Sequence, residues 1–363
     1  MKLYSDLQHS QSNFPPDKMR AVQFTRVGGP EVLELVQVDC PVPGPTEALI
    51  AVTACGVNRA DVLARSGALP FPLSLPHILG ADVVGRVVAR GEQAHGPETG
   101  SRVLVNAYLG CGACEFCQVG RNNICTQSTV IGLQRPGGYA AYLVAPLADL
   151  IPLPSTLSDE QAVHLIVAGL TAWHMLLDRG ILRPGDDVLV IGATSGVGSI
   201  AIQVARMAGA RRVFATVGSS DKRRFAEELG CDEVFLHSDP DFGKQVRAAT
   251  GGRGVDVVLE YVGSATWRGS TTAVARGGRI VVSGAHSGFD VNTQLSILSA
   301  KEYSVVGSYG GTRDELRRLV DAAARGVIRP VIAAVLPLED AARAHKLLES
   351  RQHRGKIVLR VSS

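Results

Sequence analysis

The sequence predicts an α/β protein: a β-rich domain, then a doubly wound parallel-sheet domain. Three observations predict it. Short apolar runs broken by proline and glycine fill residues 19 to 151. From about Ser158 strand and helix periods alternate. The stretch Gly192 to Gly198, GATSGVG, joins an apolar strand to a helix through a tight glycine turn.

The β runs begin with Arg20 to Phe24, Val32 to Val36 and Glu47 to Thr53, with Pro41, Pro43, Gly44 and Pro45 as punctuation. Val83 to Val88 and Arg102 to Val105 continue a barrel-like series. Asp159 to Leu177 reads as a helix, with Thr156 or Ser158 as its N-cap. Strands follow at Asp187–Ile191, Arg212–Val217, Glu233–Leu236, Asp256–Tyr261, Arg279–Gly284 and Ser304–Ser308. Helices start near Gly196, Asp221, Asp241, Ser264 and Leu295, the order of a parallel sheet with crossovers. Two helices, Asp314 to Arg325 and Leu338 to Ser350, and a strand, Gly355 to Leu359, complete the chain.

The glycine turn carries the first functional signal. In the helix Ser199 to Ala210, Ile200, Val204 and Met207 share the inward face. A strand, a glycine turn and a helix suit a dinucleotide: small residues let backbone N–H groups reach a pyrophosphate, and the helix N-terminus adds partial positive charge. Ser195, Gly196 and Val197 are the residues placed to hold it.

Composition excludes other classes. The 363 residues are 45% hydrophobic and 20% charged, and 37 basic less 34 acidic residues give +3. That balance argues against a nucleic-acid or membrane partner, and no apolar run reaches the ~18 residues of a membrane span. Residues 1–18 are polar, lack an apolar signal core and read as a flexible tail, so a cytoplasmic location is expected.

Four of the seven cysteines, Cys111, Cys114, Cys117 and Cys125, form C-x2-C-x2-C-x7-C. Four thiolates at short gaps can wrap one tetrahedral Zn²⁺ with no open position, a structural site. An iron–sulfur cluster uses similar spacing and is the alternative.

Taken together, the β-rich domain, the cysteine lobe, the dinucleotide domain and the final return resemble the medium-chain dehydrogenases/reductases from Met19 onward. The resemblance implies a GroES-like catalytic domain from residues 19–160 and 309–363, and a Rossmann domain from 161–308. It also implies an active-site cleft facing the coenzyme and a structural zinc in the cysteine lobe. Zinc alcohol dehydrogenases of this family hold a catalytic zinc with Cys, His and Cys. The matching positions here are Asn58, Ala81 and Val167, which supply no such ligand set. Asn58, in Gly56-Val57-Asn58-Arg59-Ala60-Asp61, resembles the zinc-free quinone oxidoreductase and enoyl reductase branch. That branch often carries a tyrosine where this chain has Leu63.

Coenzyme choice follows from the second strand. It ends in Val217-Gly218-Ser219-Ser220 without the carboxylate that binds a ribose diol, and Asp221 reads as a helix cap. Gly218 and Ser219 leave room for a 2′-phosphate, with Lys222 and Arg223 or Arg224 as its cations. The resemblance places His237 near that phosphate, and Ala193-x-x-Gly196-Val197-Gly198 resembles the form in NADPH-using members. NADPH rather than NADH is the expected coenzyme. Gly284, Ala285 and Ser308 follow the last two strands, where they meet the nicotinamide amide. By resemblance Thr171 contacts the nicotinamide and Lys356 lies near the coenzyme.

The expected reaction is hydride transfer to a quinone, an enone or an enoyl thioester without a catalytic metal, with Asn58 as donor or orienter. Asp61 and Asp82 resemble acids that hold the cleft by pairing with arginine or backbone amides, and Tyr139 is either a proton source or a core aromatic. Two other readings stand beside it. One is an alcohol dehydrogenase with a metal relocated to Cys55, His77 and Asp82, and the other an NADPH-binding protein without turnover. The edge strand at Ser304 suggests a homodimer or homotetramer, and residues 69 to 75 and 295 to 298 are expected to wall the substrate pocket.

Overall fold

The computed structural model describes residues 15–361. Most of the expected N-terminal tail, residues 1–14, lies outside the described residues. Its end differs from expectation: Lys18 already belongs to the strand Lys18–Phe24, opposite Asp39.

The β-rich part holds two main sheets and a two-stranded ribbon, Tyr108–Leu109 with Thr129–Val130. Lys18–Phe24 pairs antiparallel with Glu34–Asp39 and His77–Ile78. The second strand starts two residues later than the sequence suggests, because Pro30–Val32 winds a 3₁₀ turn with proline at its start. The larger sheet runs Leu150–Pro152, Arg102–Val105, Asp82–Arg90, Glu47–Val57, Lys356–Arg360, Ile332–Pro337, and Tyr142–Pro146 also pairs with Glu47–Val57. The last strand of the chain thus lies in the middle of the first domain's sheet, antiparallel to Ala54–Val57.

The coenzyme-type sheet has six parallel strands: Glu233–Leu236, Arg212–Val217, Asp187–Val190, Val255–Glu260, Val274–Val282 and Ser304–Gly307, in that spatial order. In chain order this is 3-2-1-4-5-6, the doubly wound order whose direction reverses between the first and fourth strands. The middle residues of its central strands, Val188–Val190 and Val257–Leu259, are apolar and fully buried, as helices on both faces require. Along the Gly196–Met207 helix, Ile200 and Val204 are buried. Met207, expected on the same face, is 37% exposed because the helix ends at its own turn, before Gly209.

Ser158, not Thr156, caps the Asp159–His164 helix; its hydroxyl accepts from Gln161 N–H. The helix continues as Leu165–Gly169, Leu170–Trp173 and His174–Arg179, the first and last of these with π-type winding. Such wider turns are found at functional sites, and Thr171 lies between them. Helix Arg313–Ala324, placed by sequence with the first domain, packs its Leu316 and Leu319 against this helix system.

Candidate functional site

The glycine turn sits at the crevice where strand order reverses. Gly192 has φ +76°, a conformation that favours glycine. Ser195 caps the helix, accepting from Gly198 N–H at 3.0 Å. Tyr261, just past the fourth strand, closes the turn: its hydroxyl donates to Gly192 O at 3.0 Å and lies 3.1 Å from Ser195 Oγ. A Cβ on Gly198 would stand 2.4 Å from Gly192 O, so only glycine lets helix and strand approach this closely. Gly196 and Val197 begin the helix with their N–H groups toward the crevice end.

Beyond the second strand, His237 lies against Gly218 and its Nδ1 is 3.1 Å from Thr216 Oγ1. Burial, then the Arg351 and Lys222 charges, hold its imidazole below the usual range. Lys222 is buried and donates to the Arg351 carbonyl. Asp221 is not the expected helix cap; Ser219 Oγ donates to it at 2.6 Å and Arg354 pairs with it at 2.8 Å. Arg59 adds a cation from the opposite domain, half-buried, with Nε lacking a partner. Burial and the nearby Arg351 charge lower its pKa. His286 keeps an exposed edge; the surrounding protein, then the Arg59 and Arg351 charges, depress it too. Arg351 itself has φ +56°, a backbone strain often kept where function needs it. These cations, the glycine turn and the buried unpartnered Ser308 Oγ fit a dinucleotide. Gly284, with φ +80°, and Ala285 flank that crevice on the loop after the fifth strand.

Facing this edge is the first domain's charged knot. Lys356 Nζ is 2.5 Å from Asp82 Oδ2 and donates to Asn58 Oδ1 at 2.7 Å. Asn58 Nδ2 donates to Asp82 Oδ2 at 2.9 Å, and Val167 N–H donates to Asp82 Oδ1 at 2.8 Å. The three segments that carry zinc ligands in the resembling dehydrogenases therefore meet here, around a carboxylate and an ammonium. Lys356 is 3% exposed, a buried group rather than a surface lysine. Asp61 accepts from Asn58 N–H at 2.7 Å and Tyr139 O–H at 3.3 Å. Burial raises its carboxyl to about 7. Tyr139 is fully buried with His345 3.2 Å from its oxygen, so it is a core aromatic. Thr171 is buried and its hydroxyl is hydrogen-bonded to the Tyr108 phenol, with either oxygen able to donate.

Cys55, His77 and Asp82 do not converge. His77 Nε2 faces Gly132 O at 3.0 Å and Asp82 is taken by Lys356. Among the described residues, two groups of three or more His, Cys, Asp or Glu bring ligand atoms within 4.8 Å: the four cysteines, and His174 with Asp178 and Glu315. The latter carboxylate already caps a helix, accepting from Thr312 N–H at 2.8 Å. The cysteines do fit an ion. Zn–S bonds of about 2.3 Å imply sulfur separations of about 3.8 Å in a tetrahedron, and Cys114 Sγ lies 3.7 Å from Cys125 Sγ. Backbone N–H groups of Cys111 and Gln127 donate to Cys125 Sγ at 3.3 Å.

Leu69 to Leu73 and Leu75 line an apolar groove with Val27, Ala64 and Gly67. It lies at the far end of helix Arg59–Ser66 from Asn58, about 12 Å along the axis. Sequence reasoning missed Tyr108, Tyr261, Arg59 and Arg351. For Tyr261 a signal existed, since it follows the strand beside the reversal point; the others act only through long-range folding.

Buried ionisable groups here predict a pH dependence of stability. Burial first holds His164 and His345 at about 3, so each is neutral when folded but takes a proton near 6.5 when unfolded. That stability is present above pH 6.5 and lost as pH falls. Asp61, raised to about 7, works oppositely, holding a proton the unfolded chain releases. Near pH 5 these three groups take up two protons and release one on unfolding, a share of roughly 1.4 kcal/mol lost per pH unit as pH falls, and the depressed His286 and His237 add in the same direction. Urea midpoints at pH 6.0, 5.5 and 5.0 measure this, and Asp61→Asn is expected to steepen the slope.

Comparison with known proteins agrees with this architecture. Residues 44–155 match the family model "Alcohol dehydrogenase GroES-like domain" and residues 196–325 match "Zinc-binding dehydrogenase". The quinone oxidoreductase of Sus scrofa is 31% identical over 347 residues, 94% of this chain and 97% of that one. A crystal structure described as an NAD-dependent alcohol dehydrogenase is 43% identical, with a TM-score of 0.91, covering 95% of this chain and all of that one. A variant of the crotonyl-CoA carboxylase/reductase AntE, solved in complex with NADP, is 26% identical with a TM-score of 0.87 over 95% of each chain. With its six-stranded coenzyme sheet, its glycine turn and a final strand returned to the first domain, this chain is a nicotinamide-dependent oxidoreductase and belongs to the medium-chain dehydrogenase/reductase superfamily.

Proposed function

We propose that the protein is an NADPH-dependent reductase of quinones or activated C=C bonds, such as enones and enoyl thioesters, with no metal at the reaction centre. The observation that carries the reading is the Lys356–Asp82–Asn58 knot at the place where a catalytic zinc would need three ligands. Bound NADPH supplies hydride. Asn58, whose amide keeps one N–H beyond its bond to Asp82, orients the acceptor's oxygen. Thr171, Ser308, Gly284 and Ala285 face the nicotinamide. Lys222, His237, Gly218 and Ser219 receive the 2′-phosphate, with Arg351 beside them. Arg59 and His286 serve the pyrophosphate from the far wall. One structural Zn²⁺ sits in the cysteine lobe, whose short sulfur separation suits one ion better than an iron–sulfur cluster. A second copy pairs through the edge strand Ser304–Gly307, bonded on one side only and carrying Val305 at 44% exposure.

The similarity to a structure named as an NAD-dependent alcohol dehydrogenase favours a second reading, alcohol oxidation with NAD. A panel of 9,10-phenanthrenequinone, 2-enones, crotonyl-CoA and simple alcohols, run with NADPH or NADH alongside zinc quantification, separates them. The proposal expects NADPH oxidation by quinone or enone and one zinc per chain. Alcohol oxidation with two zinc ions per chain defeats it, and no turnover leaves a binding protein. Among the described residues no helix is long and apolar enough to cross a membrane, and the expected location is cytoplasmic. Lys222→Ala removes a charge-assisted contact of about 1.5–3 kcal/mol. It is expected to raise KM for NADPH tenfold to a hundredfold while KM for NADH changes little.

A further inference from the structure

We propose that Tyr108 is the catalytic proton donor of this reductase, its phenol hydroxyl giving a proton to the oxygen of the reduced acceptor. The inference rests on the metal-free reading above and goes beyond it by naming the acid. A reductase without a zinc at its centre needs another group to meet the charge that hydride addition builds on oxygen. In this chain Leu63 supplies no hydroxyl, and the Tyr139 hydroxyl is spent in the core on Asp61 and His345.

Tyr108 is held from every side. It sits in the two-residue strand Tyr108–Leu109, paired with Thr129–Val130. Its carbonyl accepts from Asn106 Nδ2 at 2.8 Å and from Asn122 Nδ2 at 3.1 Å. Its ring stands edge-on to Tyr309, centroids 5.5 Å apart. Gly310 lies beneath it, where any Cβ would come within 2.6–2.8 Å of ring carbons. Such over-determined placement is what a reacting group needs.

Its position is where the chemistry belongs. Tyr309 and Gly310 directly follow the last strand of the coenzyme sheet, whose carboxyl ends mark the ligand crevice. Thr171 comes from the helix beside that crevice, and the Asp82 charge is felt at the phenol. When the Thr171 hydroxyl turns to donate to the phenol oxygen, the phenol's own hydrogen is free to point at an acceptor. Burial raises the phenol's pKa, so it stays protonated through the neutral range.

The step balances for an enone. Hydride that a bound reduced nicotinamide would supply, leaving it oxidised, forms the new C–H bond at the β-carbon, and the C=C electron pair moves to make an enolate. The Tyr108 O–H bond breaks, its proton joins the enolate oxygen, and the enol tautomerises to the saturated ketone. The phenolate, stabilised by Thr171 O–H, recovers its proton from water. A quinone yields an aromatic oxyanion that the ring already stabilises, so quinone reduction depends less on this donor.

Tyr108→Phe tests the assignment. With a 2-enone, kcat is expected to fall about 10²- to 10⁴-fold, the usual contribution of a positioned acid. NADPH binding, followed by its fluorescence, stays unchanged, and 9,10-phenanthrenequinone reduction suffers far less. A Tyr108→Phe enzyme that binds NADPH and reduces the enone within about threefold of the parent rate overturns the proposal, as does an equal loss on both substrates. If that variant does not fold, Thr171→Val against Thr171→Ser decides. Serine should restore the enone rate that valine loses, and equal rates for the two overturn it. A parent protein that reduces neither acceptor defeats the underlying reading itself, which separates that failure from a wrong choice of acid.

Discussion

Asp82→Ala is expected to destabilise the protein by about 3–5 kcal/mol, the cost of leaving one partner of a buried ion pair uncompensated. Asp82 is fully buried and Lys356 is 3% exposed. The carboxylate also accepts from Asn58 Nδ2 and Val167 N–H, so its loss orphans an ammonium, an amide and a backbone donor together. Lys356→Met in the same background removes the stranded charge, and the double variant should recover part of the loss. Chemical denaturation of the four proteins in a cycle measures this. A single-variant loss below about 1 kcal/mol, the range of an exposed pair, contradicts the buried knot.

Gly198→Ala is expected to damage both folding and coenzyme binding. The new methyl would meet Gly192 O at 2.4 Å, Ala193 Cα at 2.8 Å and Tyr261 Oη at 2.8 Å. Two of these are backbone atoms that cannot rotate aside, so the helix must retreat from the strand. Overpacking of this kind costs about 1–3 kcal/mol. The same shift moves the Gly196 and Val197 N–H groups proposed to hold the pyrophosphate, so affinity for the nicotinamide coenzyme should weaken about tenfold to a hundredfold. Titration by nucleotide fluorescence checks it, with Tyr261→Phe as a milder companion that removes only the hydroxyl's bonds to the turn.

Much of this architecture is legible in the chain itself, for physical reasons that vary along it. The parallel sheet is readable because strands such as Val188–Val190 and Val257–Leu259 are apolar on both faces, and helices separate them at regular intervals. The cysteine lobe is readable because all four sulfurs come from fifteen residues. The glycine turn is readable because its function needs missing side chains. What does not show in the chain is whatever depends on partners far apart. Lys356, placed near the coenzyme only by resemblance, shows its pairing with Asp82 once its strand is seen between Glu47–Val57 and Ile332–Pro337. Tyr108 reads as one aromatic in a short β run until Thr171, Tyr309 and Gly310 gather round it. The 309–325 segment follows helix packing rather than its position past the last coenzyme strand.

That late strand has a consequence for biosynthesis. While the ribosome is still adding residues before 356, the six-stranded coenzyme sheet can already assemble, since all its strands precede Tyr309. The first domain at that moment lacks an interior strand, and both Glu47–Val57 and Ile332–Pro337 present open edges. A nascent chain paused there presents unpaired strand edges of the kind that invite aggregation. The first domain's sheet closes in one late step, when residues 356–360 slot home and carry the ammonium to its carboxylate.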